Sequence, residues 1–167
     1  MTDDVYRARI LHHFQHPRHR GELEGMQAVG RATIPMCGDE VEVGVSEIGK
    51  EGLAVRFRGR GCAVCIASAS MMAEAVTGLT RERADELARA FLGWMLDRVE
   101  VGLLAAAAPE LVETFGAVRE AGSRARCAAL PWGALCNALS LCVAPLYVTA
   151  AAGATESAAA SVLSAPG

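Results

Sequence analysis

Only 5% of the residues are aromatic, and the formal net charge is −3 at pH 7. A chain with so few rings and no basic excess offers neither stacking platforms nor a phosphate-binding footprint, so nucleic-acid binding is not expected. Although 52% of the residues are hydrophobic, no run stays apolar for the ~18 residues a membrane span needs. The opening MTDDVYRARI is charged rather than signal-like, so a soluble, cytoplasmic protein with no membrane partner is expected. No internal repeat is visible, and 167 residues suffice for one core without demanding a second. His12, His13, His16 and His19 form no H-E-x-x-H pair, and Ser68 and Ser70 lack a nucleophile-elbow context. They read as helix-surface and packing residues.

Cysteine is present in number. The six thiols fall at Cys37, Cys62, Cys65, Cys127, Cys136 and Cys142, and no two pairs share the compact spacing of a zinc ribbon or finger. Without an export signal they read as thiolates for metal or chemistry rather than as disulfides. Any metal site must therefore be assembled by the fold.

Residues 3–15 place Tyr6, Ile10, Leu11 and Phe14 at helical spacing, with His16 and Pro17 as the stop. Residues 16–25 form a charged connector. From Ala28 to Arg60 the period becomes two: Val41, Val43 and Val45 alternate with polar or small residues, and so do Leu53, Val55 and Phe57 after a turn at 49–52. A hairpin with Val45 opposite Val55 sets Glu42 against Arg58 and Glu40 against Arg60, pairs worth a few tenths to about 1 kcal/mol each. Residues 32–35 can add the third strand that a lone hairpin needs. Helices are then predicted from Cys62 to residue 78, from Thr80 to Val99, over 109–120 behind Pro109, and from about Cys127 or Ala129 to Cys142. The order predicts an α+β fold, a small three-stranded antiparallel sheet with helices packed on one face. Residues 1–143 form the domain, and 144–167 read as an Ala/Ser-rich tail, disordered or loosely helical.

In this layout Cys37 lies in the turn before one strand, Cys62 just after its partner strand, and Cys127 at the start of the last helix. The start of a strand lies beside the end of its antiparallel neighbour, so Cys37 and Cys62 should be close. Helix N-termini favour thiolate over thiol, which would ease deprotonation of Cys62 and Cys127. Asp39 is a fourth candidate, since zinc accepts carboxylate oxygen beside thiolate sulfur, and Gly38 lets the turn bend so that 37 and 39 face one point. The plain alternative is that each cysteine is a small core residue and Asp39 a turn residue. Cys136 and Cys142, on an apolar helix, read as core. Cys62-Ala63-Val64-Cys65 is a C-x-x-C at a helix start, as in thiol redox proteins, but the βαβ context of that motif is missing. Cys65 otherwise packs inside the helix.

Four segments in order, VYRARILHHFQHPRHRGELEG, PMCGD, FRGRGCAVCIASASMMAEAVTG and RARCAALPWGAL, resemble the SufU type of iron–sulfur cluster assembly protein, a branch of the IscU/NifU-like scaffold fold. The resemblance covers about residues 4–140. Arg126, where IscU-type scaffolds have a histidine, and the long interval from Cys62 to Cys127 both favour the SufU branch. The resemblance implies a zinc site of Cys37, Asp39, Cys62 and Cys127, and sulfur received as a persulfide from a SufS-type, pyridoxal-phosphate cysteine desulfurase for delivery to downstream cluster-assembly proteins. It makes Cys37 the acceptor, freed when a partner histidine replaces it on the zinc. The alternative is a scaffold on which a [2Fe–2S] cluster is assembled and transferred. Cys65 departs from the family pattern and leaves room for ligand exchange, a resolving disulfide or a cluster in place of zinc.

Overall fold

A computed structural model describes residues 2–97 and 99–143 of the chain. The expected tail at 144–167 lies outside them. Helix α1 (Thr2–Gln15) leads into three strands, β1 (Ala28–Ile34), β2 (Asp39–Glu47) and β3 (Leu53–Arg60). Five helices follow: α2 (Ala63–Val76), α3 (Arg81–Leu92), α4 (Gly102–Ala107), α5 (Pro109–Arg119) and α6 (Ser123–Val143).

The strands form one antiparallel sheet in the order β1-β2-β3. The register is the one that charge and hydrophobicity predict: Val45 pairs with Val55, Glu42 with Arg58 and Glu40 with Arg60. On the outer face Arg58 Nε donates to Glu42 at 2.8 Å, and Glu40 is shared between Arg31 and Arg60. On the inner face Val41, Val43, Val45, Val55 and Phe57 are buried under α2 and α6. The third strand is longer than the ATIP segment suggests, because Ala28 and Gly30 turn inward although neither announces a strand by its side chain. The free edge of β3 is covered by the connector: Gly21 N–H donates to the Phe57 carbonyl and Phe57 N–H to the His19 carbonyl, both at 3.0 Å. An edge closed in this way cannot template pairing with another chain.

Helix α2 is buried on all sides from Cys65 to Ala73, as its uncharged run ASASMMA requires. Ser68 and Ser70 are therefore interior rather than surface residues, and both are satisfied. Ser68 Oγ donates to the Ala128 carbonyl at 2.6 Å and accepts from Trp132 Nε1 at 3.1 Å. Trp132 in turn stacks on Phe91 with ring centroids 4.3 Å apart, which ties α3 to α6. Thr80 caps α3 as expected, accepting from Arg83 N–H. That helix stops at Leu92 and passes into a π-helical turn over Gly93–Asp97, so the continuous helix to Val99 is not formed. The short α4 was not anticipated from the pattern.

Helix α1 buries Ile10 and His13, with Tyr6 half-buried, while Leu11 and Phe14 of the expected stripe face solvent. Polar contacts decide this rotation. His13 Nδ1 and Ser70 Oγ share a hydrogen bond of 2.8 Å, Arg18 N–H donates to the same Ser70 oxygen, and Glu74 sits beyond, 3.7 Å from His13 Nε2. Burial holds the His13 pKa below its ordinary 6.5; Glu74 opposes the shift and Arg18, His12 and Arg9 add to it. The folded state then binds less proton than the unfolded chain, so stability present above about pH 6.5 is lost as pH falls below it. The melting temperature is expected to drop between pH 7 and pH 5, and to drop less in His13→Gln. Equal slopes in the two proteins would assign the acid sensitivity to other groups.

Candidate metal centre

The β1–β2 turn is built on one carbonyl. Ile34 C=O accepts from Cys37 N–H at 3.3 Å and from Gly38 N–H at 2.9 Å, and Gly38 takes a φ of 73°, which its missing side chain permits. This places Cys37 at the surface, its Sγ 3.6 Å from the same carbonyl, and starts β2 at Asp39. Asp39 turns inward and is only 4% exposed. Its Oδ1 accepts from Cys62 N–H at 3.3 Å, while Oδ2 is buried with no hydrogen-bond partner. The hairpin register explains the meeting of 39 and 62, because Glu40 lies opposite Arg60 and each chain continues one step past that pair.

Cys62 is the N-cap residue of α2, extended at ψ 169°, as the helix-start reading expects. Cys127 is not. Helix α6 opens at Ser123, where Arg124 and Ala125 already bond back to Ala121 and Gly122, so Cys127 lies in the second turn with no free helix end to hold a thiolate. The polar S-R-A-R opening hid this turn, since Arg124 and Arg126 face solvent and only Ala125 is buried. Instead of being eased toward thiolate, the Cys127 thiol is pushed well up, first by burial, then by the Cys62 charge and by hydrogen bonding with Asp39 and Cys62.

Donor atoms of Cys37, Asp39 and Cys127 all lie within 4.8 Å of one another. Cys62 is outside that triplet and meets it through its amide, which donates to Asp39. The structure thus gathers all four candidate residues at one end of the sheet, three of them around a shared point. Cys136 is half-buried against the core, as a packing residue, and the Cys142 side chain lies outside the described residues.

This donor set fits a thiophilic divalent cation such as zinc. An unpaired buried carboxylate oxygen costs roughly 1–3 kcal/mol or more if nothing meets it, and thiolates beside a carboxylate are a set in which zinc is tetrahedrally held. Two features of the site were not picked out from the sequence. Gly61 leaves the space between Asp39 and Cys65 that any side chain would fill; the signal was the glycine directly before Cys62. A groove of about 680 Å³ also opens beside Cys62 and Cys127, lined by apolar residues including Tyr6, Ile10, Val64 and Val118.

Residues 5–98 match the family described as NifU-like N terminal domain. Among curated proteins, the chain is 33% identical over 137 residues to the iron–sulfur cluster assembly scaffold protein IscU of Streptococcus pyogenes serotype M1, covering 81% of this chain and 82% of that one. It is 30% identical over 138 residues to the zinc-dependent sulfurtransferase SufU of Bacillus subtilis strain 168, covering 80% and 88%. Among solved structures, a Fervidobacterium islandicum protein described as an iron–sulfur cluster assembly scaffold for the SUF system superposes with a TM-score of 0.67 at 27% identity, over 78% of this chain and 93% of that one. A NifU-like N-terminal structure from Brucella abortus, at 23% identity and a TM-score of 0.70 over 84% and 96%, shares the fold.

Proposed function

Because the chain belongs to the NifU-like N-terminal domain family, we propose that it serves iron–sulfur cluster assembly as a zinc-dependent sulfur acceptor. Residues 1–143 are the accepting domain, and a pyridoxal-phosphate cysteine desulfurase of the SufS type is the donor. The observation that carries this reading is the pairing of an exposed thiol, Cys37, with a buried carboxylate, Asp39, and a half-buried thiol, Cys127, around one point. Cys37, Asp39, Cys62 and Cys127 would hold the zinc. Zinc, when bound, keeps its cysteine ligands deprotonated at neutral pH.

The transfer itself needs a reachable thiolate and a persulfide. Cys37 Sγ attacks the terminal sulfur of the desulfurase persulfide, the S–S bond of the donor breaks, and the donor cysteine leaves as thiolate. One sulfur atom moves and no net oxidation occurs. Asp39, fixed by the Cys62 amide, holds the turn end of β2 against α2 so that Cys37 stays at the rim. The apolar groove beside Cys62 offers the donor a footing next to the acceptor. Thiols used in this way require a reducing compartment, consistent with the cytoplasm.

The test mixes the full chain with a SufS-type desulfurase and cysteine and follows metal content, alanine release and the mass of the Cys37 peptide. About one zinc per chain, faster alanine release and one added sulfur on Cys37 are the expected results; zinc without faster release or added sulfur would reduce the metal to a structural role. A second reading has its own support, since Cys65 brings a fourth thiol beside Asp39 and three thiolates with one carboxylate suit iron as well. If the protein is a scaffold for a [2Fe–2S] cluster, anaerobic purification yields brown protein with bound iron.

A further inference from the structure

The last turn of α1 carries histidines that neither the core nor the thiol centre uses. His12-His13-Phe14-Gln15-His16 keeps the spacing of the two histidines in the zinc-binding helix motif H-E-x-x-H, with His13 where that motif has its glutamate. Such a pair can hold an ion without the general base that makes the motif hydrolytic. His13 itself is buried and committed to Ser70 at 2.8 Å. His12 and His16 are exposed, and among the described residues neither ring has a hydrogen-bond or ion-pair partner.

The backbone fixes how these two rings stand. His16 N–H donates to the His12 carbonyl at 2.8 Å, so the helical rung is kept up to the residue before Pro17. Side chains four apart on a helix lie one above the other on the same face. The ring centroids of His12 and His16 are 5.5 Å apart, with their planes inclined at 51°. Two imidazoles bonded to one tetrahedral zinc ion at about 2.0–2.1 Å, each nitrogen about 1 Å from its ring centre, have centroids roughly 5 Å apart. A small side-chain rotation therefore separates the observed pair from a chelate. The arginines on either side are engaged elsewhere, Arg9 with Thr114, Glu113 and the Glu110 carbonyl, and Arg18 with Glu74 at 2.7 Å. Ser70, which anchors this end of α1, lies more than two helical turns along α2 from Cys62, about 12 Å of helix. The pair is thus separate from the thiol centre.

We propose that His12 and His16 form a second metal site, an i, i+4 pair that takes a borderline-soft divalent cation such as zinc through two neutral imidazoles, with water in the remaining positions. Imidazole suits zinc, copper and nickel, whereas magnesium and calcium call for oxygen ligands. Two protein donors leave the ion exchangeable, unlike one enclosed by four. Binding is coordination alone, with no bond of the chain made or broken and no electron moved. The pair stands whether or not the thiol centre holds zinc.

Nitrogen NMR of the histidine rings reads each imidazole separately. Zinc is titrated into the full, 15N-labelled chain after one equivalent has been added to fill the thiol centre. The next equivalent is expected to move the ring nitrogens of His12 and His16 together, and magnesium at the same concentration to move neither. His12→Ala and His16→Ala are each expected to weaken this binding about 100-fold, since linked sites gain on the order of 10²–10⁴ over separate ones. Both side chains are exposed, so the variants keep the fold, which a thermal melt checks. Shifts on only one of the two rings, or single variants that bind zinc as tightly as the parent chain, overturn the proposal and leave two ordinary surface histidines. If the thiol centre takes no zinc, the first equivalent moves the two rings instead, so failure of the sulfur-acceptor reading and failure of the pair are told apart.

Discussion

In a Cys37→Ala chain, sulfur uptake from a desulfurase is expected to fall to the background of the desulfurase alone, with the fold unchanged. The two halves of this result have separate physical causes. The side chain of Cys37 is exposed, and its one hydrogen-bond contact is a weak 3.6 Å approach to the Ile34 carbonyl. The turn is held by backbone bonds from residues 37 and 38, which alanine retains. Surface substitutions of this kind usually change stability by about 0.5 kcal/mol or less. Removal of the thiolate, in contrast, removes the only atom that can form the new S–S bond at this turn. Mass spectrometry of the wild-type and variant chains after incubation with desulfurase and cysteine checks both, together with a thermal melt. Cys62 is the other exposed thiol at the site, so a persulfide found there with undiminished alanine release would reassign the acceptor.

Gly30→Val is expected to prevent folding. A Cβ at Gly30 would fall far inside contact distance of the Ala134 carbonyl oxygen and the Ala138 amide nitrogen, both main-chain atoms of α6. Flexible side chains can move aside, but the backbone of a helix packed over two strands cannot without lifting off the sheet. Ordinary overpacking costs about 1–3 kcal/mol, and a clash with helix backbone exceeds that, against a total stability of roughly 5–15 kcal/mol. The consequence reaches the site, because α6 carries Cys127. Circular dichroism and urea unfolding would measure it, with Gly116→Ala as control: that glycine lies within α5 with nothing near its missing Cβ, and alanine there should gain about 0.5–1 kcal/mol. A cooperative, native-like melt for Gly30→Val would mean that α6 does not lie on β1.

The hairpin and half of the site were legible because strands carry their geometry in a local code. Alternation picked the faces, and the Glu42–Arg58 and Glu40–Arg60 pairs picked the register, which in turn set Asp39 beside Cys62. Cys127 was a different matter. Its approach to Cys37 and Asp39 depends on α6 docking through Gly30, a contact between residues about a hundred positions apart that neither periodicity nor charge encodes. Recognition of the R-A-R-C-A block stood in for that missing contact. The start of α6 was misjudged because its first turn is polar and exposed, and the facing of α1 because one buried histidine meeting a serine on α2 outweighs two apolar residues left in water.

Pro131 lies inside α6, four residues after Cys127. Having no N–H, it cannot close the helical rung back to the Cys127 carbonyl. Beyond it, Asn137 donates to the Arg31 carbonyl at 3.0 Å and Ala134 and Ala138 rest on Gly30, so the second half of α6 is riveted to the sheet. Before it, the first turns present Cys127 to the other thiols. One rod is thus clamped from two directions, its second half on the sheet through Asn137 and its first turns on α2 through the Ser68 hydrogen bond to the Ala128 carbonyl, so the stretch that carries Cys127 is positioned by both layers at once.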